Sequence, residues 1–537
     1  MASRATSTSV RLASARSLLS RPALTSDTAF LVYLALVNFA VHLVGANNYG
    51  YFRDELYYLA DGRHLAFGYV DQPPLIGWLA ALMDLLTHDN LVALHVVSAL
   101  AAACLTVVVG LIARELGGGR FAQLLAALAS VVAIVFMATG SLFSMDVLDE
   151  LWWALGAYVL VRLIRRQEPR LWLVFGLIAG VGLLTKLTML FFGFGVVAGF
   201  LLTPLRAQFR TRWPWLGGAI AFVFLLPYIL WNATNGWPTP EFWRHYGGLS
   251  GGGPLGFFGN QVLIINPFNL PLVIAGLLFY FRRPEGKPFR ALGWTYVILY
   301  VLFTLINAKS YFLAPAYPIL FAGGALVFER ALARASDFKP ASAWAGRQRW
   351  LVPSYVTALA LSGLFFAPFA MPLLPPAGFV SNYGFLTGTG NNGAGQKTAG
   401  SFPQYLGDRF GWETMSATVA RVYAGLPAEQ RARACVFTVN YGEASALNFF
   451  AARYHLPPAI SGHNNYYLWG PGSCTGDVII TVGLSQGEAA MSFDSVVQAA
   501  TITCDYCMDE ENNLPVYVCT RPKAGLSQLW VRVKHYN

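Results

Sequence analysis

The sequence predicts an α-helical, multi-pass membrane protein with a small α/β domain at its C-terminal end, outside the membrane. Three observations carry this. The 537 residues are 55% hydrophobic and 12% charged, with a mean hydropathy of +0.49. A soluble domain is about a quarter charged, so this chain cannot cover itself for water alone. About eleven apolar stretches are long enough, some with help from flanking residues or a thinner bilayer, to cross ~30 Å of hydrocarbon. Lysine and arginine are, moreover, segregated between alternate connections.

The stretches fall at roughly 28–46, 91–113, 121–139, 150–164, 171–185, 188–204, 214–231, 261–281, 291–306, 312–328 and 350–372. With the N-terminus placed in the cytoplasm, 22 of the 37 Lys and Arg lie in inside segments. Only 5 (Arg53, Arg63, Lys186, Arg244 and Lys309) lie in outside loops before residue 373. The positive-inside rule then puts the N-terminus in and the C-terminal region out. The net charge of +10 is accounted for by topology rather than by nucleic-acid binding, the usual reading of a basic soluble domain. Aromatic residues, at 15%, suit side chains seated at membrane interfaces. Residues 1–26 are rich in Ser, Ala and Arg. They have the composition of a transit peptide but read as a basic cytoplasmic tail, with no cleavable signal peptide evident.

Residues 27–372 form the membrane part, and residues 373–537 change character, with short apolar runs and frequent turn signals at 391–393, Pro457-Pro458 and 470–472. The runs 435–440, 478–482 and 516–519 read as strands and 443–454 as a helix, which together suggest a small α/β domain. Five of the six cysteines lie here, as an oxidising compartment allows. Their pairing is not readable from spacing. Cys504 and Cys507 form a C-x-x-C, for which redox and zinc roles are open, but no second pair at zinc-ligand spacing accompanies it.

Ionisable residues beside a membrane are costly and tend to be functional. In this topology they gather at five places, all on the outer side. After the first span comes Arg53-Asp54-Glu55, followed by Tyr57-Tyr58. Either carboxylate could act as general base toward an acceptor hydroxyl, and the pair equally suits a helix N-terminus. Next, Asp71 precedes Gln72-Pro73-Pro74, a rigid turn that would present it at a fixed place or use it to satisfy backbone N–H groups. Asp146, Asp149 and Glu150 cluster at a span mouth; they fit a hard divalent cation, or simply a helix start. Lys186 stands between two apolar spans and Lys309, with Tyr311, at another span end. Two lysines from different loops could clamp one phosphate and stabilise it as a leaving group, though each could also be a snorkelling side chain.

At these residues the sequence resembles the bacterial GT-C class of membrane glycosyltransferases, closest to the branch of aminoarabinose lipid A transferases and protein O-mannosyltransferases. The matching features are Asp54-Glu55, Asp71-x-Pro73-Pro74-Leu75, Asp146, Leu184-Thr185-Lys186, and Lys309-x-Tyr311 with Pro315-x-Tyr317-Pro318. They occur in the family's order across residues 29–330. The resemblance implies a GT-C fold in a bacterial inner membrane, a polyprenyl-phosphate sugar donor, and inverting transfer to a protein, lipid or glycan acceptor on the outer side. It implies Asp54 as general base with Glu55 beside it, and Lys186 and Lys309 on the carrier phosphate. Asp71, Asp146 and Tyr311 would shape the sugar and acceptor pocket, and Tyr58 is a further substrate-binding candidate. It implies no cofactor and no metal. Gln72, where the family often has Lys, and His95, where relatives often carry Arg, leave the sugar and carrier head group open. The segments 440–444 and 461–466 resemble the outer domain of bacterial relatives, which implies that they cap the site or select the acceptor. Here His463, Asn464 and Tyr466 could contact sugar or form a loop that satisfies its own backbone.

Two other classes compete. A transporter would bury ionisable groups at the midplane and repeat its halves, whereas here these groups sit at span ends on one face and no repeat is visible. A non-catalytic binder of lipid carriers or glycans would share the fold, but Asp54 together with both lysines favours chemistry.

Overall fold

The computed structural model describes residues 26–245, 253–337, 343–387, 398–399 and 402–537. The membrane part opens with α1 (Asp27–Val44), capped by Ser26, whose Oγ accepts from the Ala29 N–H at 3.2 Å. Then follow α2 (Arg53–Arg63), α3 (Leu75–Thr87), α4 (Leu91–Glu115), α5 (Arg120–Val131), α6 (Ile134–Gly140), α7 (Met145–Arg166), α8 (Leu171–Thr185), α9 (Thr188–Leu201) and α10 (Trp213–Thr234). After these come α11 (Pro238–His245), α12 (Gly253–Ile264), α13 (Leu270–Arg282), α14 (Arg290–Leu305), α15 (Tyr317–Asp337) and α16 (Ala343–Ala370).

Each of the eleven apolar stretches overlaps one of these helices or a bent pair of them, but the count of spans differs from the expected eleven. Among the described residues six helices are long and apolar enough to cross a membrane, and up to nine if each bent pair is one span. The pairs are α5 with α6, bent by 65°, α9 with the 3-10 turn Pro204–Arg210, bent by 111°, and α12 with the segment Pro267–Arg282, bent by 94°. At the last of these Asn266 adopts φ 71° before Pro267, which removes a backbone donor and breaks the ladder. Two expected spans fall short for different reasons. α7 carries Asp146, Asp149 and Glu150 in its opening turns, and α8 has only 15 residues.

The C-terminal domain begins with a short hairpin, β1 (Thr398–Ala399) and β2 (Phe402–Pro403). Its sheet is built from β3 (Ala434–Thr438), β4 (Ala459–Ser461), β5 (Val478–Val482), β6 (Phe493–Ile502) and β7 (Leu514–Pro522), in the order β4-β3-β5-β7-β6. The β3–β4 and β3–β5 pairs are parallel, and β5–β7 and β6–β7 are antiparallel. The helix Tyr441–Tyr454 crosses between β3 and β4, opened by a capping box in which Asn440 and Glu443 serve each other's backbone. The expected turn at 391–393 lies outside the described residues. Cys435 and Cys474 form a disulfide, while Cys504, Cys507 and Cys519 are thiols. Replacing both Cys435 and Cys474 by Ser is expected to lower the stability of this domain by about 2–4 kcal/mol, read from thermal unfolding under non-reducing conditions.

Two apolar cores meet at α2. One unites the membrane helices. The other gathers Leu56, Tyr57 and Ala60 of α2 with Val436, Ala444, Leu447 and Tyr466 of the C-terminal domain. The seam is also polar. Asn465 donates from its side chain to Asp61 at 2.7 Å, accepts from the Val70 N–H at 2.7 Å, and donates its backbone N–H to the Tyr57 hydroxyl at 3.3 Å. Such buried and satisfied bonds fix register between layers. The domain is therefore seated on α2, and everything α2 presents on that side lies between the two parts of the molecule.

Candidate active site

A cavity of about 780 Å³ opens between the membrane part and the C-terminal domain, within the size range of pockets for small ligands. Of the eight site residues expected from sequence, seven line it: Asp54, Tyr58, Asp71, Asp146, Lys186, Lys309 and Tyr311. They come from five separate stretches of the chain, which the fold brings to one cavity.

Asp54 stands in the first turn of α2, and its carboxylate accepts a hydrogen bond from the Tyr441 hydroxyl at 2.8 Å. Tyr441 in turn stacks on Tyr57, with ring centroids 4.3 Å apart. Arg53 lies beside them, its guanidinium 3.2 Å from Asp408, 3.3 Å from Glu510 and 3.8 Å from Asp54. Gly442 permits this approach, because a Cβ there would sit 2.5 Å from the Arg53 Cγ. The side chain of Asp54 remains 31% exposed, so it is held from one side and open to the cavity on the other.

Glu55 points the opposite way. It is fully buried and does not line the cavity. Its Oε2 accepts from the Phe52 N–H at 2.9 Å, and its Oε1 accepts from His95 Nε2 and the Phe143 N–H, each at 2.8 Å. Burial alone would raise its pKa. His95, Arg409 and the N–H donors outweigh that and hold it below the usual carboxylate range. The adjacent acids thus separate: 100° of helical rotation sends Asp54 to the cavity and Glu55 to the start of α4.

Asp71 precedes the Pro73-Pro74 turn and accepts from the Tyr57 hydroxyl at 3.1 Å and from Asn464 Nδ2 at 3.4 Å. Burial pushes its carboxyl up to about 7, against the pull of these hydrogen bonds. Across the cavity Asp146 forms an ion pair with Lys186, whose ammonium also lies over the rings of Tyr311 at 5.0 Å and Phe312 at 4.9 Å. Burial lowers the Lys309 ammonium to about 8; attraction to Asp54 opposes this and repulsion from Lys186 adds to it. Asp149 and Glu150, grouped with Asp146 in sequence, turn away from the cavity. Asp149 accepts from Thr188 at 2.6 Å and Glu150 from Thr139 at 2.9 Å. Among the described residues no group of three or more His, Cys, Asp or Glu side chains is arranged to hold a metal ion.

Arg53, Tyr441 and Glu443 also line the cavity; sequence reasoning assigned Arg53 no role, and it singled out the segment 440–444 without assigning Tyr441 or Glu443 individually. Arg53 was visible as a cation next to the acid pair. Tyr441 had only an indirect signal, its place just after the helix cap at Asn440.

The fold is shared with the GT-C class of membrane glycosyltransferases. The chain is related, within it, to the aminoarabinose lipid A transferases and the O-mannosyltransferases. Residues 71–231 match the family described as dolichyl-phosphate-mannose-protein mannosyltransferase. The lipid A galacturonosyltransferase RgtD of Rhizobium johnstonii is 24% identical over 302 residues, which span 53% of this chain and 61% of the relative. Among solved structures, ArnT from Cupriavidus metallidurans in the apo state superposes with a TM-score of 0.58 at 14% identity, covering 91% of this chain and 98% of ArnT. The same ArnT bound to undecaprenyl phosphate gives 0.57 at 15% identity, covering 92% and 98%. At these identities the structural likeness speaks to the fold, and it supports the GT-C architecture expected from the motifs.

Proposed function

We propose that the protein is an inverting glycosyltransferase of the bacterial inner membrane, taking a sugar from a polyprenyl-phosphate carrier to an acceptor at the outer face. The observation that carries this reading is the convergence of one open carboxylate, Asp54, and two lysines, Lys186 and Lys309, on a single cavity at the edge of the membrane part. A sugar transfer needs these elements. Asp54 takes the proton from the acceptor hydroxyl, or another nucleophile, as it attacks the anomeric carbon. The bond from that carbon to the phosphate oxygen breaks, and polyprenyl phosphate leaves with its new charge facing the lysines. Attack opposite the leaving group inverts the anomeric carbon. Asp146 and the rings of Tyr311 and Phe312 hold Lys186 in place, and Asp71 and Tyr58 border the space left for sugar and acceptor. In this reading charge compensation comes from the lysines and requires no bound cation or cofactor. The names of the relatives support it: one acts on lipid A as a galacturonosyltransferase, and ArnT has been crystallised with undecaprenyl phosphate.

The test is transfer of radiolabelled sugar from a panel of polyprenyl-phosphate sugars by the purified protein in lipid, with acceptors drawn from native membranes. Label passing from one donor would establish the class; none passing from any donor, with folded protein, would overturn it. A pH dependence follows from Lys309. Its ammonium fraction falls as pH rises through about 8, so affinity of the free protein for polyprenyl phosphate is expected to weaken between pH 7 and 9. Lys309→Arg, which stays charged, should move that decline to higher pH; binding measured across this range in both proteins checks it.

A further inference from the structure

We infer that Asn464, supplied by the C-terminal domain, forms with Asp71 a subsite that grips a hydroxyl of the donor sugar.

Asn464 belongs to the connection that leaves β4 and enters the cavity. The connection is clamped on both sides. Gly462 fits so closely under Val533 that a Cβ would lie 2.0 Å from the Val533 carbonyl oxygen. The Gly462 carbonyl accepts from the His535 N–H at 3.0 Å, and the Asn464 N–H donates to the His535 carbonyl at 3.1 Å. On the far side Asn465 is bound to Tyr57, Asp61 and Val70. Between these clamps Asn464 is held at φ 46°, ψ −126°, a backbone region that a residue with a Cβ seldom occupies and that is retained where the surroundings over-determine it.

The side chain is 1% exposed. Its Nδ2 donates to Asp71 Oδ2 at 3.4 Å and to the Asn537 carbonyl at 3.5 Å. Its Oδ1 is buried and has no hydrogen-bond partner. Buried amide oxygens are almost always satisfied, so this one, on a residue that lines the cavity, is an acceptor without a partner among the described residues. Asp71 presents acceptor oxygens next to it. The chemistry that completes this pair is an O–H donor on a small polar ring, which is what a sugar hydroxyl provides. The contact chain Asp54–Tyr441–Tyr57–Asp71 ties the subsite to the carboxylate that faces the reacting carbon, so we assign it to the donor sugar.

This subsite rests on the transferase reading for its occupant, and the test separates the two. Asn464→Gly removes the amide and suits the positive φ, so it should fold; Asn464→Asp keeps the shape but sets a second carboxylate against Asp71. Binding of polyprenyl-phosphate sugar and of sugarless polyprenyl phosphate is measured to wild type and both variants in lipid. The wild type should favour the sugar-bearing carrier. Both variants should lose about tenfold of that preference, the yield of one good hydrogen bond, with sugarless carrier bound as before. In turnover, wild type should discriminate against the donor lacking the gripped hydroxyl, and Asn464→Gly should treat parent and deoxy donors alike. Binding preference lost in Asn464→Gly without turnover in any protein would keep the subsite and overturn the transferase reading. Equal weakening toward both carriers, an unchanged preference, no preference in the wild type, or a change in KM for the acceptor alone would overturn the subsite.

Discussion

Replacing Asp54 by Asn is expected to lower sugar transfer by about 10²–10⁴-fold, the range for loss of a general base, while thermal stability and carrier binding stay near wild type. The isosteric amide keeps an oxygen for the Tyr441 hydroxyl, 2.8 Å away in the native protein, so α2 and the C-terminal domain should remain engaged. What is lost is the ability to take a proton. Single-turnover transfer by the two proteins, with unfolding followed on the same samples, separates chemistry from folding. A rate close to wild type would move the base elsewhere, and Asp71, on the same wall, would be the next acid to test.

Glu55→Gln is expected to do the reverse: damage the fold first and the chemistry only through it. Three donors converge on the two Glu55 oxygens, the N–H groups of Phe52 and Phe143 and the ring of His95. Gln has one acceptor oxygen and one NH₂, so at least one N–H must face another donor in a buried site. The cost is about 3 kcal/mol, seen as a lower temperature of thermal inactivation and a smaller folded fraction. Transfer per folded molecule should fall far less than in Asp54→Asn. A variant that is stable but inactive would return Glu55 to the chemistry.

These two neighbours show where sequence reasoning reaches its limit. The helices were legible because twenty or so apolar residues in a row admit little else, and β5 was legible because Val478 to Val482 is β-branched at every position and buried throughout. The strand β6 was not, since it lies at the edge of the sheet with only its end residues Phe493 and Ile502 buried, so no apolar face repeats along it. In the site, residue type and loop order pointed to the right wall of the molecule. Direction did not follow: Asp54 and Glu55 are equivalent as text, and so are Asp146, Asp149 and Glu150. Which acid faces the cavity depends on the helix start and on partners such as Phe143 and Thr188, which no local pattern announces. Tyr441 was out of reach for the same reason, as its partner Asp54 lies 387 positions earlier.

That separation sets the order in which the protein comes of age during synthesis. The ribosome delivers Asp54, both lysines and Asp71 early, and they enter the bilayer with their helices. Asp408, which pairs with Arg53, and Tyr441, which seats Asp54, are translated only after the last long apolar helix. A nascent chain interrupted between the two holds both lysines without the Tyr441 hydroxyl that bonds Asp54. On the transferase reading, competence is therefore acquired late in synthesis, once the C-terminal domain has been made and has seated Asp54.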